Sequence, residues 1–263
     1  MQVTEKDKLN WYTKSVMFEM VKQMNHREVA FLGTDINVRC IRAPNFSFFM
    51  KHILNFKAFR RDINIYYSVA HLKEFPYQFS FNPVIRKQQQ NYFKKVFKDY
   101  IIGHDTVFDF DSHIGKGKGK TNKAYDEFKD VVDLLDLYNV PYSPRFSGSG
   151  FHVVIPFECY PSGVDWINFG KEFLKGIRTI MDLSSLDTST SEFRSLLKLP
   201  YSLDVKTGNV CLPLTKKQIN NFDESDMKWK NIKSDIIIRD RGILMRPGNI
   251  GNLNKFCKEI LSW

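Results

Sequence analysis

The chain has 263 residues, 43% of them hydrophobic, so it is long enough to bury a substantial core. Its 39 Lys and Arg residues outnumber its 29 Asp and Glu residues, giving a formal net charge of +10. This basic excess favours polyanionic partners such as nucleic acids or nucleotides. Because we find no apolar signal segment and no run of about eighteen apolar residues, we expect a soluble intracellular protein, in the cytoplasm, nucleoid or nucleus, with no membrane partner.

In chain order, the apolar spacing predicts a helix over residues 8–24, followed by two strands joined by a turn. A helix and a strand come next. The basic, aromatic stretch at residues 92–100 fits either a helix end or a loop. The predicted ranges in this half are a helix at 8–24, strands at 27–32 and 36–41, a helix at 45–54 and a strand at 63–69.

The second half alternates in the same way, so the fold class is α/β or α+β, with an N-terminal α/β subregion in a single catalytic domain over residues 1–263. Residues 225 onward are of helical or mixed character. The predicted ranges are a strand at 106–111, a helix at 124–138, a strand at 151–155, a helix at 166–181 and a strand at 209–214.

Two carboxylates share one face of a predicted strand. Residues i and i+2 of a strand point to the same side, so Asp109 and Asp111 lie together while the intervening phenylalanines face the core. Like charges this close need a counter-charge, and Mg²⁺ or Mn²⁺, which prefer oxygen ligands, would supply it. Asp187 would add a third carboxylate to a two-metal site, with Asp182 as its rival. Solvated acids at a strand end are the alternative.

A serine-glycine segment follows about forty residues later. Ser147, Gly148, Ser149 and Gly150 would let backbone N–H groups approach phosphate oxygens, because glycine has no Cβ in the way. His152 lies just beyond, on a predicted strand, where its ring would reach a phosphate or a hydroxyl. A histidine with a purely structural role is the alternative.

Cationic side chains accompany these segments. Lys198 and Lys206 would offset the charge of a triphosphate, unless they are ordinary surface lysines. Arg194 would share the face of Lys198 if this stretch were helical, and Arg145 would add charge beside the serine-glycine segment. The Gly-Lys repeat at residues 115–120 fails as a phosphate-binding loop because Ile114 stands where the first glycine is required.

Four cysteines, Cys40, Cys159, Cys211 and Cys257, are too far apart in sequence for a CxxC zinc pattern. We therefore expect reduced, mostly buried thiols and no zinc site.

Taken in order, these segments resemble the small catalytic subunit of archaeal and eukaryotic DNA primases, in the archaeo-eukaryotic primase superfamily. The resemblance spans a core of about residues 10–215, leaving a C-terminal section of mixed structure at 216–263. One departure is Asp204, where the family usually has histidine; Asp204 would instead pair with a nearby lysine. The segments that carry the resemblance are residues 26–31, 36–39, 108–111, 147–152, Asp187 and 196–208.

The resemblance implies an α/β catalytic core with an RRM-like sheet. It implies that Asp109, Asp111 and Asp187 bind the catalytic metals. Ser147, His152, Lys198 and Arg27 would contact the nucleotide.

The implied function is primase or primase-polymerase activity: synthesis of short primers from NTPs or dNTPs on single-stranded DNA during replication. A helical large primase subunit or a replicative helicase is the partner that this implies. Two alternatives remain open, namely a repair or gap-filling polymerase of the same superfamily and a non-catalytic nucleic-acid-binding module.

Overall fold

The structure of the protein is a computed structural model, which describes residues 3–74, 80–111, 120–232 and 251–262. Within these ranges, no helix has the length and apolar character needed to cross a membrane. The predicted Gly-Lys loop at 115–120 lies almost wholly outside the described residues. Cys159, Cys211 and Cys257 are buried free thiols.

The chain divides into two compact units, each built from separate stretches of sequence. Unit 1 comprises Met1–Ile102, Leu196–Cys211 and Glu224–Arg239, and unit 2 comprises the rest. The assignment of the whole chain to a single catalytic domain stays a prediction.

Unit 1 is built on a sheet with the order β2-β1-β3-β4, in which β9 also pairs with β3. Phe31 of the central strand β1 packs against Phe49 and Phe56, so the core lies between the sheet and α3. The elements are α1 (Glu5–Trp11), α2 (Lys14–Gln23), β1 (Arg27–Gly33), β2 (Asn37–Ile41), α3 (Phe46–Asn55), β3 (Ile63–Leu72), α4 (Pro83–Val96), β9 (Leu196–Lys198) and β4 (Ile101–His104), whose last two residues fall in unit 2.

Unit 2 contains a second five-stranded sheet, with the order β10-β6-β7-β5-β8. Its elements are β5 (Thr106–Phe110), α5 (Lys120–Leu137), β6 (Ser143–Phe146), β7 (Phe151–Ile155), α6 (Trp166–Ile180), β8 (Leu186–Asp187), β10 (Leu212–Pro213), α7 (Lys216–Asn220) and α8 (Asn252–Ile260).

The main elements of unit 2 follow the order β-α-β-β-α-β, with the first and third strands, β5 and β7, at the centre of the sheet. This is the strand arrangement of an RRM, so the predicted α+β class and RRM-like sheet are confirmed. Phe108 and Phe110 of β5 pack against Phe173 of α6 and Phe128 of α5. Both helices therefore cover one face of the sheet, and alternate residues point to the other.

Some predicted boundaries were wrong. The helix expected over 8–24 is two helices, because Tyr12 leaves the helical path and the Thr13 side chain accepts the N–H of Val16 to cap α2. Only Leu212–Pro213 of the strand expected at 209–214 joins a ladder, since Asn209 and Val210 form isolated bridges.

Several elements were not predicted; these are α4, β4, β6, β8, β9 and α7. The stretch at 92–100 is a helix end, and its helix α4 begins at Pro83 behind an Asn82 cap. The strand β6 was also missed, because Pro144 and Arg145 interrupt its apolar pattern.

Gly150 has a structural role that the sequence did not reveal. A Cβ at this position would lie 2.4 Å from the Phe110 carbonyl oxygen, so the glycine allows β7 to begin directly against β5. We expect Gly150→Ala to lower the free energy of unfolding by about 2 kcal/mol, since backbone must shift to relieve the overlap. Urea denaturation measures this change.

Gly176→Ala in α6 is the matched control. Its new methyl group would meet only the flexible end of Leu261, and alanine is the better helix former. Equal urea midpoints for Gly150→Ala and the wild type would contradict the role given to Gly150.

Candidate active site

A row of polar side chains crosses the face of the unit 2 sheet that is turned away from α5 and α6. Asp109 on β5 is directly opposite His152 on β7 and, on its other side, Asp187 on β8. Arg145 on β6 is in turn directly opposite His152. Directly opposite residues share a face, so Arg145, His152, Asp109 and Asp187 form what we call the polar row.

His152, the neighbour of Asp109 in the polar row, is a buried residue. Its Nε2 lies 3.3 Å from Asp109 Oδ1, within ion-pair distance when the ring is protonated. The imidazole is buried, and within the described part of the chain its Nδ1 atom has no hydrogen-bond partner. The side chain of Asp109 is 25% exposed, so the carboxylate is accessible while its histidine neighbour is fixed.

Asp187 combines its place in the row with a capping role. Its two carboxylate oxygens accept the N–H and the hydroxyl of Ser189, each at 2.8 Å, at the start of a 3₁₀ turn. The carboxylate therefore has a defined orientation beside Asp109. Its rival Asp182 lies in an exposed turn before β8, out of register with Asp109.

Asp111 lies one residue beyond the end of β5. Its N–H donates to the carbonyl of Ser185 at 3.1 Å, which ties it to the segment that leads into β8. Among the described residues, no group of three or more His, Cys, Asp or Glu side chains is gathered closely enough to hold a metal ion. Asp109 and Asp187 are thus the two carboxylates that the sheet register brings together.

The serine-glycine segment is the turn between β6 and β7. Ser147 and Gly150 exchange two hydrogen bonds, from the Ser147 N–H to the Gly150 carbonyl at 2.8 Å and from the Gly150 N–H to Ser147 Oγ at 2.9 Å. Gly148 has a φ of 102°, which favours glycine. Ser149 completes the turn, and Asp111 follows β5 at the same end of the sheet.

The predicted lysines belong to unit 1. Lys198 ends β9, and its ammonium group forms a buried ion pair with Asp204. Asp204 also accepts the N–H groups of Lys206 and Thr207, each at 2.9 Å. Burial would raise the pKa of Asp204, but Lys198 and these donors hold it below its ordinary value. The expected pairing of Asp204 with a lysine is confirmed, whereas the Lys206 side chain is exposed.

Arg27 and Arg194, two further predicted ligands of the nucleotide, are not part of the polar row. Arg27, in unit 1, donates to the carbonyls of Ser68 and Val69 at 2.6 and 3.0 Å, so it binds strand β3. Arg194, in unit 2, lies in a turn before β9, and this stretch is not the helix that would align it with Lys198.

Glu127 of α5 is a functional candidate that the sequence analysis missed. Its carboxylate accepts four hydrogen bonds, from the N–H and hydroxyl groups of Ser184 and Ser185, at 2.6 to 3.0 Å. Burial opposes ionisation, but these donors lower the pKa of Glu127. Because Ser185 precedes β8 and bonds the N–H of Asp111, Glu127 positions both neighbouring aspartates. Its only sequence signal was an acid near the apolar face of a helix.

No protein-family model and no curated protein matches this sequence. Among solved structures, the chain is similar to the polymerase domain of ligase D from Mycobacterium tuberculosis, determined in complex with DNA. The TM-score is 0.56 at 15% identity, and the match covers 91% of this chain and 90% of that chain. The chain shares the fold of that domain. At this identity the similarity establishes the fold alone.

The role of Glu127 predicts a local change in backbone protection. In Glu127→Gln the amide side chain cannot accept all four hydrogen bonds, so we expect the N–H groups of Ser184 and Ser185 to exchange about tenfold faster. Hydrogen exchange measured by NMR tests this. Asp130→Asn, on an exposed position of the same helix, is the control. Unchanged exchange at Ser184 and Ser185 would remove Glu127 from this role.

The buried pair of Lys198 and Asp204 predicts a pH-dependent stability. Asp204→Asn leaves a buried ammonium uncompensated, and we expect a loss of about 3 kcal/mol in unfolding free energy at pH 7. Since folding lowers the pKa of Asp204, its contribution is complete above an ordinary value of about 4 and disappears as pH falls through the folded value. The difference between wild type and variant should therefore shrink at acidic pH.

Urea denaturation at several pH values measures the effect of Asp204→Asn. The control is Glu172→Gln, which breaks an exposed pair with Lys175 and should change stability by less than about 1 kcal/mol. A difference that stays constant down to pH 2 would contradict the ionised pair.

Proposed function

We propose that this protein is a template-directed, metal-dependent nucleotidyltransferase that acts as a DNA primase or primase-polymerase, making short primers from NTPs or dNTPs during DNA replication. The observation that carries the proposal is the polar row, in which Asp109 and Asp187 stand side by side with a buried histidine on a sheet of RRM topology. The polymerase-domain fold and the basic charge of the chain support it.

The donor set suits Mg²⁺ or Mn²⁺. Asp109 and Asp187 are hard oxygen donors from directly opposite strand positions, and their mutual repulsion is relieved by a bound cation. Mg²⁺ is commonly held by one or two carboxylates, with substrate phosphates and water supplying the other ligands. Asp111, at the strand end, would join them in a two-metal arrangement. When bound, the ions would activate a 3′-hydroxyl and offset the charge of the departing pyrophosphate.

The protein's own groups have distinct roles in this proposal. Asp109 would supply an oxygen ligand to a metal ion, and His152 would keep its carboxylate in place. The Nδ1 atom of His152, which has no partner among the described residues, would offer a buried hydrogen-bonding atom to a substrate group. In the turn formed by Ser147, Gly148, Ser149 and Gly150, Ser149 is the partly exposed residue, and triphosphate oxygens would approach the turn from its side.

The cations that the sequence predicted would contribute unequally to nucleotide binding in this proposal. The exposed ammonium of Lys206 is accessible to a triphosphate. Lys198 is already neutralised by Asp204, so its net attraction for phosphate is small. Arg27 donates its hydrogen bonds to the backbone of β3 and would therefore assist by holding that strand in place. Arg194 lies in the turn before β9 and would contact the nucleotide from there.

The proposal also covers how the protein would start a new primer and which partner would help it. Holding two nucleotides on an unprimed template is the harder task, for which a helical large subunit or a helicase would be the partner. A repair or gap-filling polymerase would extend a primer but not begin one, and a binding module would do neither.

Nucleotide incorporation on single-stranded DNA tests the function. We expect Asp109→Asn to lower incorporation by at least about 100-fold with either Mg²⁺ or Mn²⁺, because it removes a charged metal ligand. Labelled products on unprimed and primed templates are compared for wild type, Asp109→Asn and the exposed control Asp130→Asn. DNA binding by Asp109→Asn should be unchanged.

The pattern of products separates the three functions. Product on both templates indicates a primase, and product on the primed template alone indicates a gap-filling polymerase. If the wild type binds DNA but makes no product on either template, with or without a helical accessory subunit, the catalytic proposal is wrong.

A further inference from the structure

Helices α2 and α3 of unit 1 carry apolar side chains on their solvent side. Phe18 of α2 is 43% exposed, and Leu54 of α3 is 64% exposed. The Phe18 ring stacks on that of Phe46, with the ring centroids 4.6 Å apart. Other residues attach the helices to unit 1, since Met20 of α2 and Ile53 of α3 are buried. The exposed apolar groups are therefore surplus to the packing of these two helices.

The exposed groups adjoin one another. Phe46, Met50 and Leu54 follow at intervals of four residues, so they form a row along one side of α3, about 12 Å long. Phe46 and Met50 are half-buried. Phe18 lies against the Phe46 end of the row. We call these four residues the α2–α3 surface. An exposed apolar surface with a polar border is typical of a site that binds a partner.

The border of the α2–α3 surface is positively charged. Lys14 lies one turn before Phe18 on α2, and Lys51 lies on α3; both are exposed. Among the described residues, neither lysine forms an ion pair. The single acid of the two helices, Glu19, is buried and pairs with Lys22 at 2.6 Å. No exposed acid on either helix balances Lys14 and Lys51, so an acidic partner would complement them.

The apolar groups distinguish an acidic protein from a nucleic acid. Met50 and Leu54 are aliphatic and offer no ring on which a nucleobase would stack. The Phe18 ring is already stacked on Phe46, and the ammonium group of Lys14 lies over it, 5.8 Å from its centroid. An aliphatic row is instead stabilised by burial against the apolar side chains of a peptide. The α2–α3 surface therefore favours a protein partner.

We propose that the α2–α3 surface binds an acidic amphipathic helix of a partner protein. The apolar side chains of such a helix, at positions i, i+4 and i+7, span about 10 Å, which matches the row on α3. Its acidic side chains would face Lys14 and Lys51. The surface belongs to unit 1 and contains no residue of the polar row, so the inference goes beyond the proposed function and does not depend on it.

The experiment compares two labelled synthetic helical peptides by fluorescence anisotropy with the full chain. Both have the same leucine spacing, and the remaining positions are glutamate in one peptide and lysine in the other. We expect the wild type to bind the acidic peptide at least about tenfold more tightly than the basic one. Leu54→Ser should weaken binding of the acidic peptide about tenfold, because the leucine is no longer buried on binding. Since Leu54 is mostly exposed, this variant should keep the wild-type urea midpoint.

Matched controls separate the surface from the general charge of the chain, which is +10. Leu137→Ser replaces an exposed leucine of α5 and should bind the acidic peptide as the wild type does. A variant combining Lys14→Gln and Lys51→Gln should lower the preference for the acidic peptide to less than about threefold. Its control combines Lys171→Gln and Arg178→Gln, which removes two exposed cations of α6, and should keep the wild-type preference.

Several outcomes would overturn the inference. These are no binding of the acidic peptide by the wild type, equal affinities for the wild type and Leu54→Ser, and an equal loss of preference in both charge variants. A wild-type dimer in sedimentation equilibrium that Leu54→Ser abolishes would assign the surface to a second copy of the chain. Binding of a single-stranded oligonucleotide that Leu54→Ser weakens would assign it to nucleic acid.

The result is independent of the catalytic proposal. Peptide binding that depends on Leu54, Lys14 and Lys51 supports the α2–α3 surface even if the wild type incorporates no nucleotide. Incorporation that Asp109→Asn abolishes supports the catalytic proposal even if no peptide binds. Failure of either proposal is therefore recognised separately.

Discussion

The hydrogen-bond register of β5 with β7 and β8 places His152, Asp109 and Asp187 next to one another. Side chains alternate along a strand, so a slip of one residue would turn Asp109 into the layer beneath α5 and α6. Aromatic packing opposes that slip, because Phe108 and Phe110 fill the helix-covered face. The core of unit 2 thereby keeps the Asp109 carboxylate beside the Asp187 carboxylate, and the candidate chemistry depends on that placement.

Much of this arrangement follows from local sequence patterns. The alternation of Phe108 and Phe110 with Asp109 identified which face of β5 meets the core, and the apolar periods located α5, α6 and β7. The partners across strands are set by long-range pairing, which no local pattern contains. For the same reason Glu127 was missed, since its importance comes from Ser184 and Ser185 more than fifty residues later. The break at Tyr12 was also hidden, because a cap interrupts a helix without changing its apolar period.

The ion pair with Asp204 gives Lys198 a role different from the one that its sequence motif suggested. From the sequence, Lys198 was a phosphate ligand; in the structure its charge is balanced by a neighbour that also organises the Lys206 and Thr207 turn. A buried ion pair contributes little net stability compared with an apolar pair of the same size, but it is costly to break from one side. Asp204 therefore makes this lysine part of the framework of its loop, and the same residue leaves Lys206 as the accessible cation.

The composition of unit 1 from distant stretches of chain has a consequence for biosynthesis. Tyr66 of β3 pairs with Lys198 of β9, and Trp11 of α1 donates its indole N–H to the Tyr201 carbonyl. A ribosome has therefore to synthesise some two hundred residues before the first unit can complete its sheet. Contacts of such sequence separation slow folding. Until then, the part of β3 that pairs with β9 lacks its partner strand, and its unpaired backbone groups are a place where a chaperone could bind the nascent chain.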